Sequence, residues 1–288
     1  MFAVTGITGQ VGGVVARLLL AAGHEVRAVV RSAEKGKAWA EQGCEIALAD
    51  VNDQAALERA FEGTEGVFIL LPPTFDPSPG FPEARKAIAS LRAALSAAKP
   101  GKVVVLSTIG AQATQPNLLN QLQILEQELS TLDMPVAFLR AAWFIENAAW
   151  DIAPARETGF VPSFLQPIDK PVPMVATADI GHVAFELLSE TWEGRRIVEL
   201  EGPVRISPAE IGASLGRLLG RKVSMEIVPR DTWETLFRSQ GMKNPTPRMQ
   251  MIDGFNEEWI CFEGGETESR KGRVPLDTVL RSLIEKAY

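Results

Sequence analysis

The chain has 288 residues, 46% hydrophobic and 23% charged, a balance that supports a large packed core and excludes a disordered or low-complexity protein. Its 36 acidic side chains outweigh 29 basic ones, for a formal net charge of -7 without a block of like charge, which argues against nucleic acid or a membrane surface as partner. No apolar run approaches the roughly 18 residues of a membrane span. Cys44 and Cys261 form no CxxC pair and no basic leader precedes the first apolar run, so a reduced, cytoplasmic protein is expected.

From the N-terminus, apolar runs of strand length alternate with segments of helical period. Strands are predicted over residues 2–5, 25–30 and 45–49, with helices over 11–22, 33–42 and 53–61, the last capped by Asp53. Residues 67–71 are uniformly apolar and predict a strand buried on both faces, stopped at Pro72-Pro73, where ladder hydrogen bonds cannot continue. A loop over 74–81 leads to a helix begun by Pro82 and running to about residue 98. Then come a strand over 102–106, a helix over 118–132 and a strand over 136–139. Right-handed crossovers join these six strands into an α/β Rossmann-like, doubly wound parallel sheet with ligands at its carboxyl ends. Prolines thicken between Pro154 and Pro173, and the rhythm changes. A nucleotide-binding domain over 1–150 and a smaller α/β substrate or partner lobe over 151–288 are expected, with parts of 177–201 packing back on the first.

Gly6, Gly9 and Gly12 lie between the first strand and the first helix, where small residues let backbone N–H groups approach a pyrophosphate at a helix N-terminus. The second strand ends in Val30 and is followed by Arg31, with Lys35 and Lys37 nearby, where an NAD site usually has an acid. Arg31 offers a planar fork to a 2′-phosphate, and the cofactor reading is NADP(H). Asp50 and Val51 follow the third strand, Asp50 serving either the adenine side or as a helix cap. Leu71-Pro72 and Ser107 end the fourth and fifth strands and should wall the same crevice. His24 and His182 lack the spacing of a metal cluster, so no metal is expected.

Residues 4–12, Val30-Arg31-Ser32, the stretch 138–147, Thr177-Ala178-Asp179-Ile180-Gly181 and Ser207-Pro208-Ala209-Glu210-Ile211-Gly212 together resemble the NmrA-like group of atypical short-chain dehydrogenases, including its NAD(P)H-quinone oxidoreductase members. The resemblance covers nearly the whole chain. It implies a Rossmann-like lobe for NADP(H), a small C-terminal lobe and a substrate cleft between them. It carries over Gly6, Thr8, Gly9, Gln10, Val11 and Arg31 as cofactor contacts, with Leu71 and Pro72 along the cofactor. Ala142, Trp143 and Phe144 then lie near the nicotinamide end, Trp143 and Phe144 also wall the substrate, and Asn147 faces it.

The departure lies in the chemistry. Standard relatives use a Tyr-x-x-x-Lys pair as proton donor, whereas this chain has one tyrosine, the terminal Tyr288, and the lysine position aligns with Gln121, an amide that hydrogen-bonds a ribose or carbonyl but carries no acidic proton. Two functions therefore stand. One is an NADPH-dependent reductase passing hydride to a small quinone-like acceptor in a cleft lined by Trp143, Phe160, Phe164 and Trp259. The other is a non-catalytic NADP(H) sensor acting on a protein partner. A homo-oligomer is compatible with either.

Overall fold

The computed structural model describes residues 1–287, so Tyr288 lies outside the described residues. The chain opens with β1 (Phe2–Val4), α1 (Gln10–Ala21), β2 (Val26–Val30), α2 (Ala33–Ala40), β3 (Glu45–Leu48), α3 (Gln54–Phe61) and β4 (Gly66–Ile69). It continues with α4 (Pro82–Ala98), β5 (Val103–Thr108), α5 (Asn120–Leu129) and β6 (Val136–Ala141). Local chemistry sets these boundaries. The Ser32 hydroxyl and the Asp53 carboxylate accept from the backbone amides of Lys35 and Ala56, capping α2 and α3, and Pro82 occupies the first turn of α4. β4 is apolar and buried along its whole length.

The second half holds β7 (Trp143–Phe144), a 3-10 turn (Ile145–Asp151), α6 (Ile152–Glu157), β8 (Phe160–Ser163), β9 (Met174–Val175), α7 (Thr177–Ser189) and β10 (Arg195–Glu201). After these come α8 (Pro208–Leu219), β11 (Ser224–Ile227), α9 (Trp233–Ser239), α10 (Thr246–Asn256), β12 (Glu268–Lys271) and α11 (Leu276–Lys286). Among the described residues no helix is long and apolar enough to cross a membrane.

The main sheet is parallel throughout and has eight strands in the order β12-β10-β6-β5-β4-β1-β2-β3. Beyond the six strands of the first half, β10 lies in the 177–201 segment expected to pack back on the first domain and pairs with β6, while β12, which the sequence pattern does not predict, extends the edge. β12 has the sequence Glu268-Ser269-Arg270-Lys271 and no apolar pattern. Its charges are held laterally instead: Arg270 pairs with Glu186, Glu190 and Glu268, and Lys271 with Glu201 at 2.7 Å. A charged edge strand also resists pairing with another chain.

α1 and α7 pack together over one face of the sheet, and α3, α4 and α5 cover the other. The α1–α7 contact is close because Gly181 meets Val14; a Cβ at Gly181 would stand 2.5 Å from Val14 Cβ. A third core, around the fully buried Trp233 and Phe237, unites α6, α8, α9, α10 and α11 into the second lobe beside the parallel β8–β11 pair. β7 faces both lobes: Phe144 packs against the sheet core and Trp143 against the second-lobe core, as alternation along a strand requires.

Candidate functional site

The glycine turn is fastened before it bends. Thr5 Oγ1 donates to Phe68 O at 3.0 Å and accepts from Leu70 N at 2.9 Å, tying the end of β1 to the end of β4. Gly6 then turns with φ +62°, a conformation that disfavours side chains, and a Cβ at Gly12 would stand 2.4 Å from Gly6 O. Gly9 is different. Its backbone is ordinary extended chain, and it caps α1 without a side-chain hydrogen bond, so the first-turn amides keep their donors. No acid lies in that turn, and Thr8, Gly9 and Gln10 are exposed. Val11 and Gly12 are buried, leaving Val11 only its backbone N–H to offer. The result is an open helix N-terminus with free donors and a favourable dipole, which fits a pyrophosphate.

Strand register brings Val4, Val30, Leu48, Ile69, Thr108 and Ala141 to one rim of the sheet. Arg31 follows β2 and is exposed, with no carboxylate in ion-pair contact among the described residues. Lys35 is exposed on the first turn of α2. Asp50 Oδ1 accepts from the backbone N and side-chain Nδ2 of Asn52 at 2.9 and 3.0 Å, which hold its carboxyl below the usual range, with smaller help from the charges of Arg31 and Lys86. Asp50 therefore builds the turn, and the capping role belongs to Asp53. Val51 is half-buried, Leu71 is buried beneath the rim, and Pro72 is exposed on it.

Two residues expected to face the crevice are engaged by the protein. Gln121 is buried, and its Nε2 donates to Thr74 O and Leu118 O, both at 3.1 Å, leaving Oε1 as its remaining polar atom. Ser107 is 2% exposed and donates its hydroxyl to Glu126 Oε1. Glu126 in turn receives Arg140 through a two-pronged bond, Nε to Oε1 at 2.9 Å and Nη2 to Oε2 at 2.7 Å. Arg140 Nη1 reaches Glu263 at 2.6 Å, and Glu199 lies 3.8 Å away, accepting from the amides of Glu263 and Gly264. Burial opposes the Arg140 charge, but the bonds and charges of Glu126 and Glu263 more than offset it and hold its pKa above the ordinary value. Sequence reading passed over this network. Its one visible signal is an arginine inside the apolar strand β6.

Segments far apart in the chain are tied to the loops that follow the rim strands. Asp76 accepts from the backbone amides of Lys243 and Asn244 at 2.8 and 2.7 Å, and Asn244 Nδ2 donates to Pro77 O at 2.9 Å. The two amide bonds hold the Asp76 carboxyl below its usual range. Leu118 N donates to Pro247 O at 2.9 Å, and Gln112 Nε2 to Cys261 O at 2.8 Å. On the other side, Glu146 accepts from the amide and hydroxyl of Thr177, and that hydroxyl also lies 3.1 Å from Gln10 Oε1, joining the glycine turn to α7. Ala142 is buried; Trp143 meets Phe255 edge-on at 5.1 Å; Asn147 is exposed on the 3-10 turn. Of the other aromatics assigned to a cleft, Phe164 stacks on Phe237 at 5.1 Å within the second-lobe core, Phe160 is largely exposed on β8, and Trp259 bonds Glu257 at 3.1 Å. The depression lined by Met134, Pro135, Glu193 and Arg195 lies at the amino ends of β6 and β10, opposite this rim.

The chain matches the model of the NmrA-like family over residues 1–258. It is 28% identical over 263 residues to an NAD(P)H azoreductase of Xenophilus azovorans, covering 89% of this chain and 85% of that protein. It is 26% identical over 286 residues to quinone oxidoreductase 2 of Escherichia coli, covering 98% and 97%, and the fold of that enzyme's NADPH complex matches with a TM-score of 0.77. A triphenylmethane reductase from Citrobacter sp. has the same fold, with a TM-score of 0.80, 21% identity and 99% of both chains covered. This chain belongs to the NmrA-like family.

Proposed function

Starting from that membership, we propose that the chain is an NADPH-dependent oxidoreductase that passes hydride to a flat, quinone-like acceptor without a Tyr-Lys pair. The observation that carries the cofactor is the open N-terminus of α1, with unsatisfied amides, no acid in its first turn and the exposed Arg31, held in no close ion pair among the described residues, at the neighbouring strand end. The amides at the start of α1 hold the pyrophosphate, and Arg31 takes the 2′-phosphate. When bound, the dinucleotide supplies the hydride. Leu71 and Pro72 border it, while Trp143 and Phe144, on β7 between the lobes, fix where an aromatic acceptor lies against it.

The acceptor class follows from what the site lacks. The sole tyrosine is terminal, and the donor hydrogens of Gln121 already serve Thr74 and Leu118, so neither residue supplies the proton that a Tyr-Lys pair would. A quinone needs none, because two electrons and one proton delivered as hydride leave a phenolate-type oxyanion stabilised by its own ring, and water supplies the second proton. The azo-, quinone- and dye-reducing relatives, all named for conjugated acceptors, support this reading. The test is NADPH oxidation, followed at steady state, with matched panels of quinones and simple ketones. Quinone turnover with negligible ketone turnover is expected. Efficient ketone reduction would reveal a proton donor and overturn the acid-free mechanism. Tight NADPH binding with no turnover, and capture of a protein partner only with nucleotide bound, would replace the enzyme with the sensor.

A further inference from the structure

Most shielded arginines of this chain are neutralised by carboxylates. Arg140 has Glu126 and Glu263, Arg196 has Glu190 and Glu268, Arg230 has Asp253, and Arg270 has Glu186, Glu190 and Glu268. Arg248 on α10 is half-buried and has none among the described residues. Its guanidinium stands 4.6 Å over the Phe237 ring, with Nη1 3.8 Å from Met242 Sδ. These contacts fix its position and contribute a cation–π attraction, but they supply no negative charge. Burial therefore acts on it unopposed and pushes its pKa down. An anion arriving beside it would regain the missing Coulomb energy in a partly dehydrated setting, where such a pair is stronger than on the open surface.

The chain leading into Arg248 is tied to the loops that follow β4 and β5. Pro247, the preceding residue, is bonded to Leu118 at the head of α5, and Lys243 and Asn244 are bonded to Asp76 in the loop after β4. Four and seven residues further along the same face of α10 stand Ile252 and Phe255, and Phe255 packs on Trp143. α10 and the residues before it thus reach from the loops after β4 and β5 to Trp143. A separation of seven helical residues is about 10 Å along the axis. We infer that Arg248 is an anion subsite of the acceptor pocket, binding a sulfonate, carboxylate or phosphate substituent carried at the end of an aromatic acceptor remote from its reacting ring. The inference rests on the reading that an acceptor occupies the cleft between the lobes.

The test compares 1,4-naphthoquinone-6-sulfonate, whose charge sits on the ring away from the carbonyls, with 6-methyl-1,4-naphthoquinone in wild type, Arg248→Met and Arg248→Lys. Methionine keeps apolar volume against Phe237; lysine keeps the charge without the fork. The sulfonate-to-methyl ratio of kcat/KM should fall about tenfold to a hundredfold in Arg248→Met, the range of one charged hydrogen bond, and recover in part in Arg248→Lys. An unmoved ratio, or an equal fall for both quinones, overturns the subsite, the second outcome marking a purely structural arginine. If wild type reduces neither quinone, the reductase reading fails and binding decides the subsite. Titration of the NADP⁺-loaded protein with both compounds then supports it when the sulfonate is preferred by wild type and not by Arg248→Met, and rejects it when both proteins bind the two alike.

Discussion

The two walls of the proposed cleft are built differently. The glycine turn uses one contiguous stretch, residues 6–12, and offers backbone amides positioned by φ at Gly6 and by the close approach of Gly12 to Gly6 O. The opposite wall gathers Asp76, Leu118, Gln121 and residues 243–255, and its contacts, mostly made by side chains, join segments far apart in the chain. A backbone site depends on which residues are small, whereas a side-chain site depends on which partners arrive. The first wall therefore tolerates little local change, and the second should respond by degrees.

The largest effect should come from beneath both walls. Glu126→Leu leaves the Arg140 guanidinium, 4% exposed, without its two-pronged partner, and should destabilise the fold by about 3–5 kcal/mol in urea unfolding. A loss under about 1 kcal/mol would mean that Glu199 and Glu263 suffice to hold Arg140. Next, Gly9→Val separates cofactor binding from folding, because Gly9 has ordinary extended backbone and a Cβ there meets only Gly6 O, at 3.2 Å. NADPH affinity should fall at least about a hundredfold, as several charge-assisted bonds are displaced, while the unfolding midpoint stays near wild type. Wild-type affinity would break the contrast between the walls. Arg31→Ala should weaken NADPH about tenfold to a hundredfold and NADH little, measured by titrating both nucleotides.

On the side-chain wall, Gln121→Ala strands the carbonyls of Thr74 and Leu118, and should cost about 1–3 kcal/mol of stability. Quinone turnover should fall by less than the roughly hundredfold that removal of a general acid produces; a larger drop would give Gln121 a chemical role. A further effect should be one of pH. Asp151, at the junction of the 3-10 turn and α6, receives no hydrogen bond among the described residues, and burial pushes its carboxyl up to about 7. The folded protein then holds that proton more tightly than the unfolded chain, so the stability it contributes is complete below the unfolded value of about 4 and is lost as pH rises through the folded value. Asp151→Asn should flatten the decline in unfolding midpoint across that window, and an unchanged profile would show that the carboxyl is ionised in the folded state at no cost.

Much of the nucleotide half was legible in the residues themselves. Apolar strands such as β4, the caps Ser32 and Asp53, and the glycine spacing all act over a few residues, so their physics is complete within a short window. The eighth strand was not legible, because β12 is held by ion pairs to α7 and β10 and by one neighbouring strand, and its four residues show no apolar period. By residue type and position Gln121 offers an amide to a ligand, whereas docking of the loop after β4 places Thr74 O against it. Ser107 was placed at the rim by chain order, but its hydroxyl turns inward because Glu126 and Arg140 need a satisfied, buried network there. Sequence determined whatever depends on neighbours in the chain: the order of elements, the glycine turn and the absence of an internal tyrosine. Tertiary structure decided which polar groups face the cleft and which are spent inside, because a side chain's free donors and charges are known only once every partner within reach has been counted.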